Sequence, residues 1–289
     1  MRYFICLSYN GSAFSGWQIQ ENANSVQEEL QKALSTLLKE PIQVVGAGRT
    51  DTGVNARNYI AHFEFQGQMP EQTHTVYKMN AILPKEICVH SVYPVSDDMH
   101  ARFSALSRTY KYYIHTEKDP FCSEFSFFVP AKKFNLEKMN EACQYFLGEQ
   151  DFSSLEKVNG GNKTSICNVT YAAWEPVYPN TAGAQSYAAT THAATSPAAP
   201  NAADTLPSGY TATVSEATHY VFTVTANRFL RNMVRAMVGS LLEVGSGKRE
   251  PEWIKEMLAQ KNRCAAGHSV PGNALFLVNV EYPADTLQA

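Results

Sequence analysis

Three short stretches of this 289-residue chain concentrate residue types that can do chemistry. The densest is Gly46-Ala47-Gly48-Arg49-Thr50-Asp51-Thr52-Gly53-Val54. Its glycines let a strand end in a tight backbone path, and a guanidinium and a carboxylate follow two positions apart. The same pattern suits a turn whose Asp bonds its own backbone. It does not suit a Walker-type phosphate loop, because no Gly-Lys-Ser/Thr ending follows. The second stretch, Asn227 to Leu242, reads as a helix. At about 100° per residue, Arg228, Arg231 and Arg235 fall within about 60° of one another, with Leu230, Met233, Val234, Met237, Val238 and Leu241 on the other side. Gly239 projects near the arginines, where a missing side chain lets a ligand or another backbone come close. A solvated face is the competing reading, but such faces generally carry interspersed acids and this one has none. The third stretch, His100-Ala101-Arg102-Phe103-Ser104-Ala105-Leu106-Ser107-Arg108-Thr109-Tyr110-Lys111-Tyr112-Tyr113, interleaves cations with aromatics. Guanidinium and aromatic planes stack on splayed bases while the charges meet phosphate, which is RNA chemistry. An aromatic strand packed on its neighbours is the alternative, and it suits Tyr112 and Tyr113 better than Tyr110. No two of the eight histidines have metal-ligand spacing and none neighbours a plausible Cys or Ser nucleophile, so neither a metal site nor a triad is expected.

The elements that must position these stretches alternate between strand and helix. Arg2 to Tyr9 is a β-prone run stopped by Asn10-Gly11. Ser25 with Glu28 forms a capping box, and Val26, Leu30, Ala33, Leu34, Leu37 and Leu38 then line one helical face before Lys39 and Pro41 end it. Strands are expected at Ile42 to Ala47, Tyr59 to Phe65, Cys88 to Val95 and Arg108 to His115. A helix from about Leu136 to Leu147 takes Asn135 as N-cap and Gly148 as its stop. Strands near Ser165 to Trp174 and His219 to Thr225 precede the arginine-bearing helix, expected from about Phe229 to Val244. A helix from Pro251 and a strand from Ala274 to Tyr282 complete the chain. The interleaving indicates α+β architecture. Between the last two strands of the hairpin, roughly Val177 to Ala217 is rich in Ala, Thr, Ser and Pro, and no Lys or Arg occurs between Lys163 and Arg228. This segment reads as a flexible excursion.

Composition bounds the rest. Apolar residues at 44% and charged residues at 18% exclude a disordered polyampholyte, and 16 Gly with 14 Pro exclude a fibrous repeat. The six cysteines contain no C-x-x-C pair, which favours reduced thiols in the cytoplasm over a disulfide framework. The apolar run at Tyr3 to Tyr9 is too short for a signal peptide, and no run approaches the ~20 residues of a membrane span. The net charge of -3 argues weakly against a polyanionic partner, but its distribution is lopsided.

Taken in order, the motifs resemble the TruA family of tRNA pseudouridine synthases. The similarity runs over nearly the whole chain: Tyr9-Asn10-Gly11 with Gly16-Trp17-Gln18, Ser25-Val26-Gln27, Gly48 to Val54, His100 to Ala105, Arg108-Thr109-Tyr110, Phe152-Ser153-Ser154, Met233-Val234-Arg235 with Val238-Gly239-Ser240-Leu241, and Leu275 to Val278. Two departures stand out: the long alanine-rich 177–217 segment, and Lys163 to Cys167 in place of a more basic, aromatic stretch. The resemblance implies an isomerase that works without metal or cofactor, converts uridine to pseudouridine in the tRNA anticodon arm (positions 38–40), and acts as a homodimer. It implies a fold of two similar α/β halves, 1–105 with the catalytic aspartate and 106–289 with the insertion, sharing a continuous mixed, mostly antiparallel sheet with a cleft between them. By resemblance, Asp51 is the catalytic carboxylate, Arg235 pairs with it, Tyr110 stacks on the uracil, and Arg49 enters the space left by the flipped base. His100, Arg102, Phe103, Arg231 and Lys163 are the further expected RNA contacts.

Overall fold

The computed structural model describes residues 1–130, 134–157, 164–177 and 217–287. One ten-stranded sheet runs through it. The strands are β1 (Arg2–Tyr9), β2 (Val44–Gly46), β3 (Asn55–Glu64), β4 (Ile87–Val95), β5 (Ser107–His115), β6 (Phe127–Phe128), β7 (Gly148–Asp151), β8 (Ile166–Val177), β9 (His219–Ala226) and β10 (Leu275–Glu281). Their order is β4-β1-β3-β10-β5-β9-β8-β7, with β2 on β3 and β6 on β5. All pairings are antiparallel except β3–β10 and β5–β6, so the sheet is mixed and mostly antiparallel as expected. The centre is a long-range join, where Phe276 and Leu277 of β10 pair in parallel with Asn55 and Ala56 of β3. On its other side β10 pairs with β5, Leu277 opposite Tyr110.

Five α-helices accompany the sheet: α1 (Val26–Leu38), α2 (Gln72–Ile82), α3 (Leu136–Cys143), α4 (Met233–Gly245) and α5 (Trp253–Ala259). α1 begins where its capping box places it, the Ser25 side chain accepting from the Glu28 amide, and ends with Lys39 in the left-handed region. Two apolar clusters cover one sheet. Phe4, Leu7, Trp17, Leu30, Leu34, Tyr59 and Phe63 centre the first, and Tyr112, Phe146, Phe152, Trp174, Phe222, Met237 and Leu241 centre the second. Tyr110 packs against both. A smaller group, Tyr113, Val221 and Phe276, buries on the opposite face, since strand neighbours alternate. The expected packing role of Tyr112 and Tyr113 is thereby observed.

Several boundaries differ from the sequence expectation for identifiable reasons. The 42–47 strand shrinks to Val44–Gly46, because Ile42 N donates to Ser35 Oγ (2.9 Å) and Val44 N to Gln31 Oε1 (3.0 Å), both on α1. β3 starts four residues before Tyr59, drawn out by pairing with β1 (Tyr9 opposite Ala56) and β10 (Phe276 opposite Asn55). α3 stops at Cys143 and passes into a 3₁₀ turn before Gly148. α2 was not expected: no broad apolar stripe marks it, only Thr75 and Met79 being buried, and its start is capped by Glu71. The arginine-bearing helix begins at Met233 rather than Phe229, because Asn232 sits in the left-handed region at φ +68° and its side chain donates to Ser269 Oγ (2.6 Å). Most of the 177–217 segment lies outside the described residues; its flanks, Val177 and His219, are paired across β8 and β9.

Candidate active site

All three chemistry-bearing stretches line one cleft beside the β2–β3 connection. The Asp51 loop is fixed mainly by backbone contacts: Trp17 N donates to Thr50 O (3.2 Å), Val54 N to Asp51 O (3.1 Å), and the Thr50 hydroxyl bonds Tyr9 Oη at 2.9 Å. Gly16, at φ +99°, permits this approach, since a Cβ there would stand 2.4 Å from Thr50 O. Below the loop the Trp17 and Tyr59 rings stack at 4.1 Å, and Tyr59 Oη donates to Gly48 O.

Among the described residues the Asp51 carboxylate bonds nothing in its own loop, so the self-bonded turn reading does not hold. It faces two arginines instead: Arg231 Nε lies 3.4 Å from Oδ1 and Arg235 Nη1 3.4 Å from Oδ2. Arg235 is aimed by its other donor, Nε to Val270 O at 2.7 Å. The expected pairing of Asp51 with Arg235 is therefore present, though long for a hydrogen bond. Because the helix starts at Met233, Arg228 and Arg231 reach the cleft from the turn before it and not from a helical face. Gly239 lies on α4 against backbone: a Cβ there would come within 1.7 Å of His268 O, in the segment that carries Val270.

The cleft occupies about 680 Å³ and takes Arg49, Arg102, Arg108, Arg228, Arg231 and Arg235 into its lining, with Asp51 the only acid among the described lining residues. Such a concentration of like charge attracts a polyanion despite the chain's net charge of -3. Tyr110 lines the same cleft from β5, its ring edge-on to Phe229 at 5.1 Å. Burial pushes its phenol up to about 12; the Asp51 charge adds to the rise and Arg108 opposes it. The ring is thus a neutral, partly apolar platform near neutral pH.

Phe103, 76% exposed, and Arg102, its guanidinium 5.6 Å from the Phe103 ring centroid, stand at the rim. Arg49 is exposed, with no hydrogen bond or ion pair among the described residues. His100 is not part of the cleft lining. Its Nδ1 accepts from the amides of Arg102 (3.1 Å) and Phe103 (3.3 Å), and its ring meets His62 edge-on at 4.6 Å, so it holds the turn that presents those two side chains. Lys163 lies outside the described residues. Sequence reasoning gave no role to Arg108, which the fold puts on the same strand face as Tyr110; the two-residue spacing was the available signal.

Among the described residues one group has ligand-type atoms close enough for a metal, Asp119, Cys122 and His219, within 4.8 Å of one another. None lines the cleft. Asp119 Oδ1 accepts from the Phe121 amide (2.8 Å) and Cys122 Sγ donates to Asp119 O (3.7 Å), the contacts of a capped turn.

A family model described as tRNA pseudouridine synthase matches residues 5–104 and 142–283. The chain is 44% identical over 284 residues to tRNA pseudouridine synthase A of Bacteroides thetaiotaomicron, covering 98% of this chain and 91% of that protein. It is 42% identical over 287 residues to the Bacteroides fragilis protein of the same name (99% and 98% covered) and 41% identical over 284 residues to that of Parabacteroides distasonis (98% and 97%). Matches of this extent on both sides of the arginine-lined cleft place the chain in the tRNA pseudouridine synthase family.

Proposed function

We propose that this protein isomerises uridine to pseudouridine in the anticodon arm of tRNA, at positions 38–40, with Asp51 as the catalytic group. The observation that carries the reading is the single carboxylate set among six arginines in one cleft, facing Arg231 and Arg235. Isomerisation breaks the bond from the ribose C1′ to uracil N1, turns the base while it stays bound, joins C5 to C1′, and moves the C5 proton to solvent as N1 gains one. An ionised carboxylate supports either available route, attack on C1′ or removal of the C2′ proton. Arg235 and Arg231 hold it in position.

Tyr110 stacks on the uracil, and its neutral phenol is placed to assist loss of the C5 proton. Arg49, exposed and without a partner among the described residues, fills the space left by the flipped nucleotide. Arg102 and Phe103 meet the RNA at the rim, with His100 supporting their turn, and Lys163 is a further RNA contact by the family resemblance. The chain acts in the cytoplasm as a homodimer whose halves divide near residue 105, and it needs neither metal nor cofactor. Among the described residues no helix is long and apolar enough to cross a membrane.

Unmodified tRNA carrying tritium at uridine C5 tests the reading. Tritium should pass into water in an amount equal to the pseudouridine formed. Tight tRNA binding with no release would instead make the protein an RNA-binding module without turnover.

A further inference from the structure

Arg108 lies on β5 two residues before Tyr110, and its guanidinium is spent entirely on main-chain carbonyls. Nη1 donates to Asn227 O (2.7 Å) and Ala105 O (3.1 Å); Nη2 donates to Ala47 O (3.1 Å) and Arg102 O. Among the described residues no carboxylate lies within ion-pair distance of it. A half-buried cation without an acid partner is costly to place, yet here it is satisfied by four acceptors at once.

Those acceptors lie on three loops. Ala47 leads into Arg49 and Asp51. Arg102 and Ala105 belong to the turn that presents Arg102 and Phe103. Asn227 opens the connection that carries Arg228 and Arg231. Except for Arg235, every charged group of the cleft other than Arg108 itself sits on a loop tied to this guanidinium. The loops come from chain positions about 55 to 180 residues apart; the β5–β9 ladder, with Arg108 opposite Ala226, brings the ends of the second and third together, and no ladder pairs β2, which leads into the Asp51 loop, with β5 or β9. Only a planar fork with donors on two nitrogens spans the three; a lysine, with its donors on one atom, does not.

We propose that Arg108 is the positioning residue of the active cleft, a clip that sets the relative placement of the Asp51 loop, the Arg102–Phe103 turn and the Arg228–Arg231 connection. The proposal rests on the isomerase reading for its effect on turnover and on geometry alone for its effect on the loops. The loss should fall mainly on the chemical step, because a displacement of about 1 Å in a catalytic group costs about 10²-fold.

The test compares Arg108→Ala and Arg108→Lys with the wild-type protein by single-turnover tritium release at saturating tRNA, by tRNA affinity, and by amide exchange resolved to the three loops. We expect release to slow by about 10²-fold in both variants, with overall melting retained and exchange raised together at 47–53, 100–106 and 227–231. Methylguanidinium should restore part of the rate to Arg108→Ala and none to Arg108→Lys, whose side chain still occupies the space. Unchanged exchange in the three loops would overturn the clip whatever the turnover. So would a rate within about threefold of wild type in a folded Arg108→Ala protein, which is far from the expected loss. If the wild-type protein releases no tritium from any tRNA, the isomerase reading fails while the exchange measurement still decides on Arg108.

Discussion

Replacing Asp51 by Asn separates chemistry, stability and binding in one variant. Asn keeps the volume and an acceptor oxygen but can neither form a bond to C1′ nor take a proton. Turnover should therefore fall by at least about 10⁴-fold, the scale seen when one member of a catalytic set is removed. Stability should barely change. Both ion pairs are long at 3.4 Å, and Arg231 is 49% exposed, so each is worth no more than about 0.5–1 kcal/mol, part of which Asn retains as an acceptor. A net loss of about 1 kcal/mol lowers the melting temperature by about 2–4 °C. RNA affinity should hold or improve slightly. Removing one negative charge some 8 Å from a phosphate relieves about 0.2–0.5 kcal/mol of repulsion at physiological salt, at most about twofold in Kd. The assays are tritium release, thermal melting and tRNA binding at fixed ionic strength. Turnover within tenfold of wild type would remove Asp51 from the chemistry, and a tenfold loss of affinity in a folded protein would make it a recognition group.

Further outcomes follow from other parts of the molecule. Burial raises the phenols of Tyr110 and Tyr93 to about 12, so the folded state holds these protons more tightly than the unfolded chain; their contribution is complete below about pH 10 and disappears as pH rises through 12. Melting temperature followed from pH 8 to 12 should fall only in that upper window, and less steeply in Tyr110→Phe; a constant value to pH 12 would contradict the burial argument. Gly239→Ala forces a Cβ to 1.7 Å from His268 O, so α4 and the segment holding Arg235 through Val270 must separate. It should cost about 3 kcal/mol by denaturant titration, the upper end for overpacking, and should slow tritium release as well; wild-type stability would mean that the close approach is not obligatory. Exchanging residues 181–216 for a short Asn-Gly turn should leave melting and tritium release close to wild type, because Val177 and His219 are already paired and the deleted stretch has no Lys or Arg to offer phosphate. A large loss of tRNA affinity in this variant would assign the segment a part in recognition.

What the sequence determined by itself was whatever depends on neighbours along the chain. Ser25 and Glu28 set the start of α1 because a cap is a contact over three residues, and β1, β4, β5, β9 and β10 lie within one or two residues of their expected bounds because apolar alternation and turn residues are local signals. Motif order was enough to indicate the family and to single out Asp51, Arg235 and Tyr110, since the types and order of residues survive without coordinates. Tertiary structure decided the rest. β3 extends back to Asn55 because partners remote in sequence lie on both sides of it, Tyr9 of β1 opposite Ala56 and Phe276 of β10, about 220 residues later, opposite Asn55. Arg228 and Arg231 look helical from periodicity, yet a left-handed Asn232 held by Ser269 takes them off the helix, and it is the fold that returns Arg231 to Asp51 and leaves Arg228 in the cleft lining. His100 looks like an RNA ligand by type; that its Nδ1 also caps the turn presenting Arg102 and Phe103 is visible only in the structure. Arg108 was one cation among several in a basic, aromatic stretch; its four carbonyl partners lie on loops remote in sequence, and no spacing rule carries the information that they meet.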